Sequence, residues 1–391
     1  MKSDFLHISQ DTISKVAIHK KFTPECVVFL KAVLNHLLIG FLPSVKDLNN
    51  NSFFSCVNIK DSSKFKLPVS YAKDYPSYGG FNKFSSLMNI QFEYDIISGN
   101  WTSIDLTKAT RNDQTDSKET ITKIRSKGLY IRDLGYVTTT YLKGIQDSDA
   151  FFINRLPKMN FYLKNEEKLN KLDWGSLDKR LKRENKPYTE IEGYIGFKEQ
   201  LKCRLIIQPV TEQEAGARIR KAKQGGNRTK GYGLSKEYKI KAHYNIFITN
   251  VANEVLSSAQ VIETYQLRWQ IELVFKSWKS NLNIHRTKTV KTPRMESQLI
   301  IKLIWLIINM RFYYIATRLI AKEYPDSGCS IIKFIKFIDK YTIDMIESMK
   351  KRNRLLSWFN QNVSPMLRDL RVEKRLKKPT HYELLHIIAN C

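Results

Sequence analysis

Acidic residues are scarce in this chain: its 391 residues carry 38 Asp+Glu against 65 Lys+Arg, a formal net charge of +27 at pH 7. An excess of one sign on that scale favours a polyanionic partner, with nucleic acid the first reading and an anionic membrane surface its competitor. Long uncharged apolar runs are lacking too. The most apolar stretch, 299–320, is interrupted by Lys302, Arg311 and Arg318. Its longest uncharged piece, 303–310, falls far short of the ~20 residues that cross a bilayer, so a buried core helix is expected there and no membrane partner. Met1-Lys2-Ser3-Asp4 offers no apolar signal core before the first charges, which predicts a cytoplasmic protein. Cysteines are few and scattered (Cys26, Cys56, Cys203, Cys329 and Cys391), with no paired spacing that reads as a zinc site or a disulfide framework. The seven histidines add no ligand pattern, and no internal repeat is visible.

Apolar material is nonetheless sufficient. Hydrophobic residues make up 42% and aromatics 12%, enough for a real core, which excludes a disordered basic tail. The pattern is helical over 12–40, with Pro24 at a helix start. It turns strand-like at 53–59, 84–94 and 101–109, the last two joined by Ser98-Gly99-Asn100 as a hairpin turn. A polar helix at 115–127, a strand at 129–131, a helix at 138–144 and a strand at 150–154 continue an α/β alternation. Composition changes between 157 and 243. Short strands are expected at 191–197 and 203–210, and residues 218–241 hold nine basic residues against one acid, Glu237. This reads as a β-rich basic insertion with a mobile loop around Gln224-Gly225-Gly226-Asn227. A strand at 244–249 and one long helix over 257–280 follow, then helices to the end. Five segments result: a helical 1–50, the first part of an α/β core at 51–156, the insertion at 157–243, the second part of the core at 244–294 and a helical 295–391.

Three acids stand out by position. Asp61 ends the run Cys56-Val57-Asn58-Ile59-Lys60, Asp133 ends Leu129-Tyr130-Ile131-Arg132, and Glu272 sits on the long helix. Carboxylates at the ends of sheet strands converge where α/β folds place sites. Oxygen ligands of this kind suit Mg²⁺ or Mn²⁺, and a pair of such ions supports phosphoryl transfer. Taken singly, each acid reads equally as a cap or a turn residue. On the helix, Tyr265, Arg268, Glu272 and Lys279 fall at offsets 0, 3, 7 and 14, within an arc of about 60° at ~100° per residue. Leu267, Ile271, Val274, Phe275 and Trp278 supply the other, apolar face. The plain interpretation is a solvated face with an Arg268–Glu272 ion pair; the functional one puts Glu272 on metal and the other three on DNA.

The segment Tyr265-Gln-Leu-Arg268-Trp-Gln-Ile-Glu272, with Lys279 six residues further on, resembles the Tyr-Arg-Glu-Lys signature of insertion-sequence-4 family DDE transposases. Val57-Asn58-Ile59-Lys60-Asp61-Ser62-Ser63 with Leu67-Pro68 resembles that family's first-aspartate strand, and Asp133-Leu134-Gly135-Tyr136 its second-aspartate motif. The resemblance covers about residues 12–320. It implies an RNase H-like core interrupted by a mostly β insertion between the second Asp and the Glu. It implies Asp61, Asp133 and Glu272 as a triad holding two Mg²⁺ ions, for which Mn²⁺ substitutes. Tyr265, Arg268 and Lys279 are then expected to contact the transposon end near the cleaved bond. The implied reaction is cleavage at transposon ends followed by 3′-OH strand transfer into target DNA, in some relatives through a hairpin. The implied partners are terminal inverted repeats and target DNA, with a homodimer on paired ends, in a bacterial cytoplasm and on the nucleoid when DNA-bound. Family members carry a longer N-terminal end-binding domain. Residues 12–22 resemble its last part, so 1–50 is read as a remnant and the chain as a truncated copy.

Within the basic window, Arg218, Arg220, Lys221, Lys223, Arg228 and Lys230 are expected to meet DNA, because a solvated face ordinarily mixes signs and this one hardly does. His285 is read as a surface loop residue, Trp174 as part of an amphipathic helix face, and Tyr136 as packing beside the site. Two alternatives are carried: a non-catalytic DNA-binding remnant, and an RNase H-like nuclease that uses water alone as nucleophile.

Overall fold

The structure is a computed structural model that describes residues 14–40, 53–78, 86–166, 168–226, 233–280, 283–287, 289–324, 327–349, 354–373 and 387. In chain order they form helices α1 (Lys15–Lys20) and α2 (Pro24–Gly40), then strands β1 (Cys56–Leu67), β2 (Ser86–Asp95) and β3 (Trp101–Lys108). Helix α3 (Asp113–Glu119), strand β4 (Gly128–Arg132), helix α4 (Thr139–Asp147) and strand β5 (Phe151–Arg155) follow. Next come β6 (Phe161–Asn165), β7 (Lys168–Lys171), α5 (Trp174–Glu184), β8 (Thr189–Ile195), β9 (Leu201–Pro209), α6 (Glu212–Gly226), α7 (Lys236–Lys241) and β10 (Tyr244–Thr249). The chain continues through α8 (Ser258–Tyr265), a 3-10 turn (Gln266–Arg268), α9 (Trp269–Ser280) and α10 (Thr292–Glu323). It closes with β11 (Ser327–Cys329), α11 (Ile331–Met349), α12 (Arg354–Leu370) and β12 (Arg371–Glu373).

These elements divide into two compact units, one of residues 49–60, 112–268 and 387–391, the other of 1–48, 61–111 and 269–386. The first is rich in sheet. Its strand order is β1-β4-β5-β10-β9-β8-β6-β7, parallel for β1, β4 and β5 and antiparallel from β5 through β10 to β7. Every residue of β4 is buried, as expected of a parallel strand covered on both faces. The core gathers Tyr141, Leu142 and Ile145 of α4, Phe152 of β5, Trp174, Leu177 and Leu181 of α5, and Leu205, Ile207 and Ile248 of the sheet. Local caps set where helices begin. Asn112 accepts from the Thr115 amide ahead of α3, Thr138 from Tyr141 ahead of α4, and Ser257 forms a capping box with Gln260 ahead of α8, each satisfying donors that the first helical turn leaves open.

The second unit is mostly helical. The β2–β3 hairpin turns at 98–100, where Gly99 takes φ +74, a conformation glycine adopts without steric cost. Phe92 and Trp101 of this hairpin meet Phe275 and Trp278 of α9, with ring centroids 5.0 to 6.1 Å apart. A separate cluster joins Ala316 and Ile320 of α10, Phe334, Phe337 and Ile338 of α11, and Trp358, Met366, Leu367 and Leu370 of α12. By length and composition alone α10 could cross a membrane, at a mean hydropathy of 1.6 over its most apolar window. Leu299, Ile300, Leu303, Leu306 and Ile307 are buried on its inner side.

Four expectations change. Extended backbone does not end at Asp61: pairing with β4 stops at Lys60, but Ser63, Phe65 and Leu67 stay buried while Lys64 and Lys66 are exposed, and that alternation carries β1 on to Leu67. The helix expected over 257–280 breaks into α8, the 3-10 turn and α9. Of the loop expected around Gln224-Gly225-Gly226-Asn227, residues 224–226 are the end of helix α6, and Asn227 lies outside the described residues. Among the described residues, 157–243 is therefore four strands interleaved with three helices.

Candidate active site

In the sheet-rich unit β4 delivers Asp133. Backbone φ −70 and ψ 159 keep this residue extended just ahead of a 3-10 turn over Leu134–Tyr136, so its side chain is not consumed as a cap. The carboxylate is 46% exposed, and Oδ1 lies 3.8 Å from Nη1 of Arg268. That is an ion pair looser than a direct hydrogen bond. The Arg268 guanidinium lies 6.0 Å from the Tyr265 ring centroid, and the Tyr265 ring stands edge-on to Phe247 at 5.2 Å. Tyr265 is thus buried rather than part of a solvated face. Burial pushes its hydroxyl up to about 12 against the opposing pull of Arg268 and Arg155, so the hydroxyl is protonated and able to donate at neutral pH.

Arg155 is a residue that sequence reasoning missed. It ends β5, the parallel neighbour of β4, and its Nη2 donates to Asn245 Oδ1 at 2.5 Å. Burial holds this guanidinium below its usual range, the charges of Arg218 and Arg268 push the same way, and those of Tyr265 and Asp133 oppose it. The available signal was a cation at the end of the expected strand 150–154, legible only once that strand is known to lie beside β4.

The helical unit holds Asp61, Glu272 and Lys279. Oδ1 of Asp61 accepts from the Ser62 amide at 2.7 Å. Glu272 is half-buried in the first turn of α9, whose buried Ile271, Val274, Phe275 and Trp278 fix the helix on its apolar side. In the last turn, Lys279 Nζ donates to the Lys64 carbonyl at 3.3 Å, and burial lowers its pKa. The four signature residues do not share one continuous α-helix. Tyr265 ends α8, Arg268 ends the 3-10 turn, and Glu272 and Lys279 belong to α9. Each 3-10 residue turns the chain by ~120° where an α-helical one turns it by ~100°, so the single-face arithmetic fails across 266–268.

The basic window divides by role. Arg218 is turned inward, donating to the carbonyls of Ala242 at 3.3 Å and Tyr244 at 2.9 Å and to Asn245 Oδ1 at 2.7 Å. Arg220, Lys221 and Lys223 are exposed on α6. Arg228 and Lys230 lie outside the described residues. Trp174 is buried, with Lys241 Nζ 4.6 Å from its ring centroid.

A divalent ion is tested by the donors present. Asp61, Asp133 and Glu272 are hard oxygen donors, each only partly buried, a chemistry that fits Mg²⁺ better than a soft metal. Among the described residues, no three His, Cys, Asp or Glu side chains stand close enough together to hold an ion by themselves.

The transposase DDE domain matches residues 52–308. The chain is 28% identical, over 98% of its own length and 83% of the relative's, to the transposase for insertion sequence element IS231F of Bacillus thuringiensis subsp. israelensis. It is 29% identical, over 96% and 82%, to that for IS1151 of Clostridium perfringens. Among solved structures, a piggyBac transposase synaptic complex with hairpin DNA aligns with a TM-score of 0.39 at 10% identity, covering 84% of this chain and 60% of that one, too distant to bear on the site. With more than half of its residues inside the matched domain, the chain belongs to the DDE transposase domain family.

Proposed function

We propose that this chain cleaves DNA at the ends of an insertion element and joins the freed 3′-OH to target DNA, with Asp61, Asp133 and Glu272 as metal-binding carboxylates on an RNase H-like core. The observation that carries the proposal is the parallel register of β1 and β4: Lys60 pairs with Arg132, and the residue that follows each is an aspartate. Both carboxylates stand where the parallel pairing of β1 with β4 stops, and the edge where parallel pairing ends is where α/β sheets build their chemistry.

Mg²⁺, or Mn²⁺ in its place, would be held by these three residues and would polarise the scissile phosphate and supply a nucleophile near neutral pH. Mg²⁺ keeps several waters and completes its shell with substrate phosphates, so a ready-made three-carboxylate cage is not required before DNA arrives. Arg268, paired with Asp133, offsets the acid's charge and keeps donors directed at an incoming phosphate. Tyr265 adds a protonated hydroxyl and Lys279 a further cation. Arg220, Lys221 and Lys223 of α6 neutralise backbone phosphates, and Arg218 braces the strand beneath them. A homodimer on paired ends and a bacterial cytoplasmic setting belong to the same reading.

The test is incubation with Mg²⁺ and DNA carrying the element's ends. Wild-type protein should cleave, and Asp61→Asn, Asp133→Asn and Glu272→Gln should each bind DNA without cleaving it. A pre-cut 3′-OH end should then be joined to a plasmid. Cleavage surviving all three substitutions overturns the proposal, cleavage without joining turns it into a water-only nuclease, and binding without cleavage in any divalent metal makes the chain a DNA-binding remnant.

A further inference from the structure

Two cations sit one residue ahead of the two aspartates, and both are fully buried: Lys60 is 0% and Arg132 1% exposed. Neither belongs in a strand interior without partners, since an unpaired buried charge is strongly unfavourable. Their partners come from one short helix, α3, and its end. Lys60 Nζ lies 2.5 Å from Asp116 Oδ2, with both side chains wholly excluded from solvent. Arg132 Nη1 reaches Ser117 Oγ at 3.5 Å and Thr120 Oγ1 at 3.4 Å, and its guanidinium lies 4.3 Å from the Tyr141 ring centroid and 5.7 Å from that of Tyr136. Ser117 Oγ also donates to the Tyr136 carbonyl at 2.7 Å. From the other side, the fully buried Asn154 donates Nδ2 to the Arg132 carbonyl at 2.9 Å, holding the peptide that links Arg132 to Asp133.

Successive residues of a strand project to opposite faces. A cation gripped on one face therefore fixes the height and twist at which its successor leaves the other. Because Lys60 and Arg132 are register partners, one helix grips both strands at the same level. Apolar packing would fill this space, but it would not fix direction as an ion pair and donor–acceptor contacts do.

We infer that α3 is a positioning device: the Lys60–Asp116 ion pair and the Arg132 clasp of Ser117, Thr120 and Asn154 set Asp61 and Asp133 for metal binding, although none of these groups reaches metal or DNA. The inference rests on the proposed role of the two aspartates. Groups behind metal ligands typically change metal affinity or activity by roughly 10 to 100-fold when removed.

The experiment uses the full chain and compares two double variants. K60M/D116L removes both buried charges and keeps the volume, a replacement that often preserves or raises stability. S117A/T120V loosens Arg132 without deleting a charge. For each, thermal melting, affinity for end DNA and the Mg²⁺ concentration for half-maximal cleavage are measured. Near-wild-type DNA affinity is expected of both and near-wild-type melting of K60M/D116L, while S117A/T120V should melt lower but stay folded because Arg132 loses two acceptors. In both, the Mg²⁺ requirement should rise, or the rate at saturating Mg²⁺ fall, by at least roughly tenfold. A folded double variant with wild-type Mg²⁺ dependence and rate overturns the inference and leaves the pair a stabilising contact only. If K60M/D116L fails to fold, S117A/T120V decides by the same criterion. Cleavage intact in Asp61→Asn brings down the triad itself and this inference with it, a result distinct from the inference failing alone.

Discussion

Arg204 offers the sharpest test of how the sheet-rich unit is held. It is 5% exposed, and its guanidinium grips Glu190 bidentately, Nε to Oε1 at 2.8 Å and Nη2 to Oε2 at 2.6 Å. The same group donates to the carbonyls of Val251 at 2.9 Å and Leu256 at 2.8 Å and to Asn253 Oδ1 at 2.9 Å. Those acceptors lie on the segment leading into α8, and α8 ends at Tyr265. Arg204→Met keeps the apolar stem but leaves a carboxylate and two carbonyls short of a donor. Removing one partner of a buried ion pair costs about 3 to 5 kcal/mol, and because Glu190 is 27% exposed and can rehydrate, the lower end, about 3 kcal/mol, is expected. Hydrogen exchange read by mass spectrometry on β8, β9 and 250–258 should show that loss in opening free energy. A change below about 1 kcal/mol would refute the reasoning, since even one hydrogen bond to a charged group is worth more. The pH dependence follows from the same contact. Arg204's hydrogen bonds, then Ser258's, hold the Glu190 carboxyl below its usual range. A depressed carboxylate stabilises fully above its unfolded value, about 4.3, and that stability is lost as pH falls through the folded value. Protection of β8 and β9 should therefore decline on acidification below about pH 4, and Glu190→Gln should flatten that decline.

Other expectations concern separate parts of the chain. Trp278→Ala empties the aromatic cluster under α9 and should cost about 3 to 5 kcal/mol in urea unfolding, with cleavage falling because the helix bearing Glu272 loses its seat. Replacing Arg220, Lys221 and Lys223 together by Ala should lower the magnitude of the log-affinity against log-salt slope by about 2.7 for duplex DNA and leave melting nearly unchanged. Arg218→Ala should do the reverse, lowering melting while altering that slope little, because its donors are spent on Ala242, Tyr244 and Asn245.

Local chemistry made much of the fold legible. The apolar run at 244–249 coincides with β10, the Gly99 turn makes the β2–β3 hairpin, and Ser257 with Gln260 starts α8 where a capping pair should. What stayed hidden depended on partners distant in sequence. Nothing near Asp61 tells that pairing with β4 stops at Lys60 while β1 runs on to Leu67. Nothing around 266–268 betrays the 3-10 turn, because Leu267 keeps the apolar phase. In α6, Ala215, Ile219 and Ala222 carry a helical period that the Gly225-Gly226 pair obscured. Lys60 and Arg132 read as ordinary polar strand residues, and only the contacts from α3 identify them as buried cations.

Asp61, Asp133 and Glu272 are proposed to share metal on DNA. Loading Fe²⁺ in place of Mg²⁺ on the protein bound to end DNA, adding ascorbate and peroxide, and mapping where radicals released at the ion cut the polypeptide would locate the shared site. Cuts should cluster around residues 61, 133 and 272, all suppressed by excess Mg²⁺ and by Asp133→Asn. Cuts confined to one of these segments, or lying elsewhere in the chain, would contradict the shared site.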